Sequence, residues 1–263
     1  MRNESKTLFI PLYGKAMMSR EGLCEDKTAE TIVDTCGFDF SGVDRSRKLA
    51  IYMTMRAMHF DSYVRAFAEK HPDGVIIQLG VGLDSRVHRV ACDNPWWDLD
   101  FPEVIAMRKG YFAENARCRM IAAPAVPADW LEQIPRSKYA LVLAEGLSMY
   151  LSEADMRSLM QALQLHFGET LFVFDAYSKL AAKLSPLKNP INAVKARIDF
   201  AMDEPQTLIA AMDRAACVIN DDIITPEYTA QLKGKDRLRF KWMGKAGKNL
   251  YRIYGYRMQG TCE

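Results

Sequence analysis

Residues 75–100 read VIIQLGVGLDSRVHRVACDNPWWDLD. Val75, Ile76, Ile77 and Leu79 form a short apolar, β-branched run bounded by Gly74 and Gly80. That is the pattern of a parallel strand buried on both faces. Gly80 and Gly82 then permit a tight turn in which backbone approaches a ligand with no Cβ in the way. A helix is expected from Asp84 to about Ala91, its first turn offering free N–H groups and a positive dipole end over the glycines. Trp96 to Leu99 reads as a second strand ending in Asp100, eighteen residues after Gly82. An acid at that strand tip can reach a ribose held over the first loop.

A G-x-G followed by a distant acid is by itself a weak pattern. Ser85 stands where a dinucleotide-binding loop has its third glycine, which disfavours packing against a pyrophosphate. A nicotinamide-dependent oxidoreductase is therefore the second reading, and a nucleoside ligand without phosphates the first.

The rest of the chain repeats the alternation. Residues 26–35 and 46–70 carry helical spacing, the longer one through Leu49, Met53, Phe60, Tyr63, Val64 and Phe67. Arg56 lies on the apolar side of that helix, where a guanidinium needs an anion or an interface partner. Residues 1–6 are polar and expected to be loose, and 7–16, with Pro11 and Gly14, suit a segment laid across a pocket better than a regular helix. Pro102 opens another helix, and residues 120–123 are a third strand. Residues 139–144 (YALVLA) are a fourth, with Glu145 at its tip. Ser152 and Asp155 form a capping box for a helix over 153–166. Residues 171–174 are a fifth strand closed by Asp175. Strands alternating with helices from 75 to 175 predict an α/β fold with a doubly wound sheet. Beyond lie helical candidates at 191–202 and 207–216, then a hairpin from 237–243 and 250–258 about the turn GKAGKN.

Lys and Arg number 35 against 33 Asp and Glu, a formal net charge of +2 with no dense basic block, so nucleic acid is not implied as a partner. The six cysteines are scattered, with no C-x-x-C and no zinc-like spacing. Neither a metal nor a membrane span of roughly 18 apolar residues is expected. A cytoplasmic enzyme fits these bounds, and the oligomeric state is left open.

The runs QLGVGLDSR (78–86), WWDLDFPEVIAMRK (96–109) and LAEGLSMYL (143–151), with LFIPLYGKA (8–16) and 56–60, resemble the leucine carboxyl methyltransferase family, in its smaller bacterial O-methyltransferase branch. The resemblance covers roughly residues 7–175. It implies a class I S-adenosylmethionine-dependent methyltransferase fold, Rossmann-like with the last strand antiparallel. One domain of 1–263 is expected, with an N-terminal helical cap (1–70), a core (71–175 and 226–263) and a helical substrate lid inserted at 176–225. The resemblance assigns Lys15 and Arg56 to the cofactor's carboxylate, Gly80, Gly82 and Asp100 to its adenosine, and Glu145 to its amino-acid end. The acid usual in the loop after the third strand is replaced by Pro127, so backbone around Ala125 and Val126 is expected to serve there.

The sulfonium of S-adenosylmethionine already activates its methyl group, so the protein chiefly has to align a nucleophile. A carboxylate acceptor releases no proton, whereas a hydroxyl requires a base within hydrogen-bond reach. His59, His88 and His166 are fixed at the site by no motif, and no catalytic residue is assigned. Methyl transfer to a carboxylate or hydroxyl of a small-molecule or peptide acceptor is the leading expectation. A binding protein that retains the cofactor without turnover is the non-enzymatic alternative.

Overall fold

The computed structural model describes residues 8–40, 46–188 and 198–260. The loose start expected at 1–6 lies outside them, as does most of the helix expected at 191–202.

Three helices open the chain, α1 (Phe9–Arg20), α2 (Lys27–Thr35) and α3 (Arg47–Lys70). The last two begin at capping side chains: Asp26 Oδ1 accepts the Ala29 N–H at 2.9 Å and Ser46 Oγ that of Leu49 at 3.4 Å. The irregular segment expected over 7–16 is corrected by α1. Pro11 falls in its first turn, where a backbone N–H would have had no intrahelical acceptor. Gly14 lets α1 cross α3 closely, since a Cβ there would come within 3.2 Å of Ala50 Cα.

The sheet has seven strands: β1 (Val75–Leu79), β2 (Trp96–Asp100), β3 (Cys118–Ala122), β4 (Tyr139–Ala144), β5 (Glu169–Tyr177), β6 (Ala215–Asp222) and β7 (Tyr251–Gln259), in the order β3-β2-β1-β4-β5-β7-β6. β1 to β5 are parallel, and β7 runs antiparallel between β5 and β6. Helices α4 (Arg86–Arg89), α5 (Pro102–Arg108), α6 (Glu153–His166), α7 (Lys179–Lys188), α8 (Pro205–Ile209), α9 (Pro226–Gln231) and α10 (Gly234–Ala246) complete the fold. Alternate residues of each central strand feed opposite cores. Ile76, Leu141 and Leu143 pack with α1 and α3, while Ile77, Leu79, Val142 and Ala144 pack with α6. The strand order reverses direction between β1 and β4, so the crevice outside their carboxyl ends is the topological switch point where ligands of such sheets bind.

Three further expectations are corrected. The hairpin over 237–243 and 250–258 does not form, because 237–243 belongs to α10. The alternation of Leu238, Phe240 and Trp242 imitates a strand, yet only Phe240 is buried. On its outer side β7 pairs instead with β6, inside the region expected as a helical insertion, so 176–225 contributes an edge strand to the main sheet. The helix expected from Asp84 is only α4, since Asp84 and Ser85 precede it with their side chains turned onto Lys15 and Asp26.

Arg108, at the end of α5, is fully buried and ties the first loop to the second strand. Its Nε and Nη2 donate to Asp98 Oδ2 at 3.0 and 2.6 Å, and its Nη1 to the carbonyls of Gly82 and Asp84 at 3.2 and 2.7 Å. Replacing Arg108 by Ala leaves Asp98 charged and buried beside Trp96, so the unfolding free energy falls by about 3–5 kcal/mol in urea titrations. Lys at this position restores part of the loss only, because a single ammonium cannot span the carboxylate and both carbonyls.

Candidate functional site

The glycine turn after β1 is held open by positive φ at Gly80 (61°) and Gly82 (54°), a conformation that costs other residues. Asp100, at the tip of β2, closes it: its Oδ2 accepts the Gly82 N–H at 2.8 Å and its Oδ1 the Phe101 N–H at 2.7 Å. Burial pushes this carboxyl up, against the two N–H bonds that stabilise its charge. Each oxygen keeps lone-pair capacity for a further donor. A neutral diol supplies such donors without a second charge. The Ala123 N–H donates to the Asp100 carbonyl at 3.0 Å, bringing the loop that carries Val126 alongside. In that loop Trp130 Nε1 donates to the Ala125 carbonyl at 3.0 Å, and Val126 packs half-buried on the sheet.

Next to the turn lies a buried cluster of ion pairs. Asp84 receives Lys15 from α1, Arg86 Nη1 at 2.9 Å, Arg89 Nη1 at 2.7 Å and Gln78 Nε2 at 2.8 Å. The hydrogen bonds of Arg86 go instead to Asp61 Oδ1 of α3 at 2.7 Å and to Glu145 Oε2 at 2.5 Å. Arg89 reaches Asp61 Oδ2 at 2.7 Å and Asp26 Oδ2 at 3.3 Å. Arg56 completes the chain, with Nε 3.0 Å from Glu145 Oε1 and Nη1 3.0 Å from Asp175 Oδ2. Asp175 in turn accepts the Tyr251 hydroxyl and the Gly146 N–H, the latter at 2.6 Å. Cations Lys15, Arg56, Arg86 and Arg89 thus face acids Asp26, Asp61, Asp84, Glu145 and Asp175, leaving one acid in excess. A zwitterion can exchange with such pairs because both signs are present, and the surplus carboxylate suits a ligand of net positive charge.

Comparison with known proteins gives the arrangement its context. The leucine carboxyl methyltransferase family model matches residues 10–164. The chain is 32% identical over 207 residues to the tetracenomycin polyketide synthesis O-methyltransferase TcmP of Streptomyces glaucescens, covering 77% of each protein. It belongs to the leucine carboxyl methyltransferase family. A second relative, the S-adenosyl-L-methionine-dependent methyltransferase dpfgK of Gibberella zeae, is 27% identical over 228 residues, covering 77% of this chain and 76% of that one. The fold is also similar to that of a DUF574 family protein from Streptomyces avermitilis, with a TM-score of 0.56 at 10% identity over 89% of each chain. Family membership makes the protein an S-adenosylmethionine-dependent methyltransferase with a class I fold.

In this family member, Lys15, Arg56, Gly80, Gly82, Asp100 and Glu145 all come to the carboxyl edge of the sheet around β1, β2 and β4. Lys15 and Arg56 do not stand free there, since acids of the chain already engage them. The residues that sequence reasoning missed are those acids and their other partners: Asp26, Asp61, Asp84, Arg86, Arg89 and Tyr251, with Asp175 noted only as a strand end. Arg86 and Arg89, three apart in α4, were the available signal, because two arginines on one side of a helix this close to a buried turn need acids opposite. His59, buried in α3, has Nε2 3.1 Å from the Ile223 carbonyl, so this nitrogen carries the proton and is committed. Among the described residues no group of His, Cys, Asp and Glu is placed to hold a metal, and no helix is long and apolar enough to cross a membrane.

Charge pairing sets the acid stability of the cluster. Burial alone would raise Asp84, Asp61 and Glu145, but Arg86 and Arg89, Arg89 and Arg86, and Arg86 and Arg56 respectively outweigh it and hold them low, Asp84 well below the usual carboxylate range. Their stabilisation is fully present above the unfolded-chain pKa of about 4 and is lost as pH falls through their lower folded values. Asp175, like Asp100, has the opposite sign: burial outweighs Arg56, its pKa is raised, and acid relieves a cost. The three lowered groups dominate, so urea midpoints decline steeply below about pH 4. Asp61→Asn lowers the midpoint at pH 7 and makes the acid decline shallower.

Proposed function

We propose that the protein methylates an oxygen, carboxylate or hydroxyl, of a small-molecule acceptor, with the methyl donor lying across the ends of β1, β2 and β4. When bound, S-adenosylmethionine supplies a methyl group on a positively charged sulfur, and transfer to the acceptor oxygen leaves neutral S-adenosylhomocysteine with the former S–C electron pair on sulfur. The observation that carries this reading is the convergence of Gly82, Asp100, Glu145, Lys15 and Arg56 at one switch-point crevice.

In this reading the chain's residues bind and orient. Asp100 takes the ribose hydroxyls on the lone pairs its backbone bonds leave unused, and the positive φ of the glycine turn keeps the adenosine side free of Cβ atoms. Lys15 and Arg56 exchange part of their bonding to Asp84 and Glu145 for the carboxylate of the amino-acid end, while Glu145 and Asp84 receive its ammonium. Val126 contributes apolar contact and backbone groups beside the base. The edge acids Asp84, Glu145 and Asp175 are committed to cations, and His59 to a carbonyl, so none is assigned as a base. The acceptor oxygen is best served already ionised or at the solvent side. The alternative of a nicotinamide oxidoreductase falls with the family membership and with Ser85, whose hydroxyl is bonded to Asp26 at 2.5 Å.

Calorimetric titration with S-adenosylhomocysteine tests this reading. Wild-type protein binds it saturably. Asp100→Ala weakens binding by about 1–3 kcal/mol, the loss of hydrogen bonds to a charged partner. An unchanged affinity refutes the ribose assignment. Gly82→Val abolishes binding, because a branched side chain is strained at that φ and enters the turn beside Leu8.

A further inference from the structure

Helix α10 and the two residues that follow it concentrate charge. Residues 233–248 hold seven Lys and Arg against one Asp, in a chain with 35 against 33 overall, so the remainder is net acidic. Asp236, the one acid, pairs with Arg47 of α3 at 2.6 Å. All seven cations are exposed, and none has an ion-pair partner among the described residues. In sequence they are interleaved with Leu238, Phe240 and Trp242, and the helix sorts them. Phe240 is fully buried and Met243 packs half-buried on the same core. Gly244 lets the helix approach Ile224, whose Cγ2 a Cβ would meet at 3.0 Å. With that face committed to the protein, the opposite one is held outward. Leu238 and Trp242, four residues apart, stand together in its middle, 71% and 70% exposed. At 3.6 residues per turn, Lys241 and Lys245 form a row along one side of this pair, and Lys235 and Arg239 a row along the other.

We propose that this face of α10 lies on anionic lipid, as a peripheral contact with no spanning segment. The helix falls outside residues 10–164 matched by the family model, and the contact is independent of the methyltransferase reading. Two apolar side chains between two rows of cations match the layering of a bilayer surface. Leu238 and Trp242 enter the boundary between headgroups and acyl chains, where an indole is favoured for its apolar body and polar N–H. The Lys and Arg stems lie along that boundary and keep their charges at the phosphates. Attraction to an anionic leaflet adds up over the cations of the helix.

Other anionic partners fit this face less well. A nucleic acid would satisfy the cations but leave Leu238 without an apolar partner. An acidic protein would need a groove shaped to a convex ridge with charge on both flanks, whereas a lipid surface adapts to it. Helix α10 ends shortly before β7, whose first residue stands beside Tyr177, the last of β5. The basic face therefore borders the carboxyl edge of the sheet.

Co-sedimentation of the full chain with vesicles tests this, using phosphatidylcholine alone and phosphatidylcholine mixed in equal parts with phosphatidylglycerol. Wild type is expected to bind the mixed vesicles about ten-fold or more tightly than the neutral ones, and to release them as added salt screens the charges. Because Trp96, Trp97 and Trp130 are buried, a blue shift of tryptophan emission on binding reports Trp242. Two double variants change exposed positions only: Lys241→Glu with Lys245→Glu reverses one cation row, and Leu238→Ser with Trp242→Ser removes the apolar pair. Circular dichroism and urea midpoints matching wild type establish that both fold. Each is expected to lose about ten-fold or more in affinity for the mixed vesicles. Equal binding to both vesicle types, binding to neither, or an affinity that either variant leaves unmoved overturns the proposal. Binding to polyglutamate in place of the mixed vesicles assigns the face to an acidic protein, and a dimer in gel filtration that Leu238→Ser with Trp242→Ser dissolves assigns it to a second copy; either result overturns the lipid contact. None of these outcomes alters what the S-adenosylhomocysteine titration decides about the crevice.

Discussion

The carboxylate of Asp84 is the point on which the carboxyl edge of the sheet depends. Lys15 of α1, Arg89 of α4 and Gln78 of β1 bond to it and Arg86 pairs with it by charge, so one side chain fixes the N-terminal helix, the first strand and the turn between strand and helix. Taking so many charges out of water is costly, and a buried pair is weak evidence for stability because apolar packing of equal volume often does as well. What an apolar core could not provide is a crevice with both signs of charge already oriented. A site for a zwitterion with a cationic sulfur needs that, and orienting dipoles beforehand saves reorganisation when the ligand arrives.

The same logic separates the two tips. Asp84 and Glu145 are surrounded by cations and stay ionised, whereas Asp100 is half-buried, is hydrogen-bonded by backbone donors only and is pushed up. Acids on neighbouring strand ends thus present different partners: ionic ones near β4 and hydroxyl-ready ones near β2. Arg108, beneath the turn, is bound to Asp98 and to loop carbonyls, and so keeps a guanidinium close to Asp100 without neutralising it.

Much of this architecture was legible in the sequence because it follows from local chemistry. The run VIIQL between glycines became β1, the capping box at Ser152 and Asp155 opened α6, and Asp100 met Gly82 at the expected spacing. Reading broke down where the pattern had two explanations. Pro11 and Gly14 look like breakers until the tertiary contact with Ala50 is known, and RLRFKWM alternates like a strand because its exposed Leu238 and Trp242 happen to be apolar. β6 escaped notice because it is an edge strand that ends in NDD and has no fully buried residue. The acid partners of the cluster come from α2, α3, β5 and the first turn. No spacing rule connects positions 26, 61, 84 and 175, since only the folded sheet brings them together.

The reversed direction of β7 has an effect on how the molecule is made. Tyr251 meets Arg56 across 195 residues of sequence, so the hydroxyl that completes Asp175 emerges from the ribosome long after the helix that carries Arg56. Until then Asp175 and Arg56 have to be desolvated without it, and β5 has an open edge. The parallel half of the sheet can assemble early, whereas the corner where Arg56, Asp175 and Tyr251 meet is completed only when β7 docks.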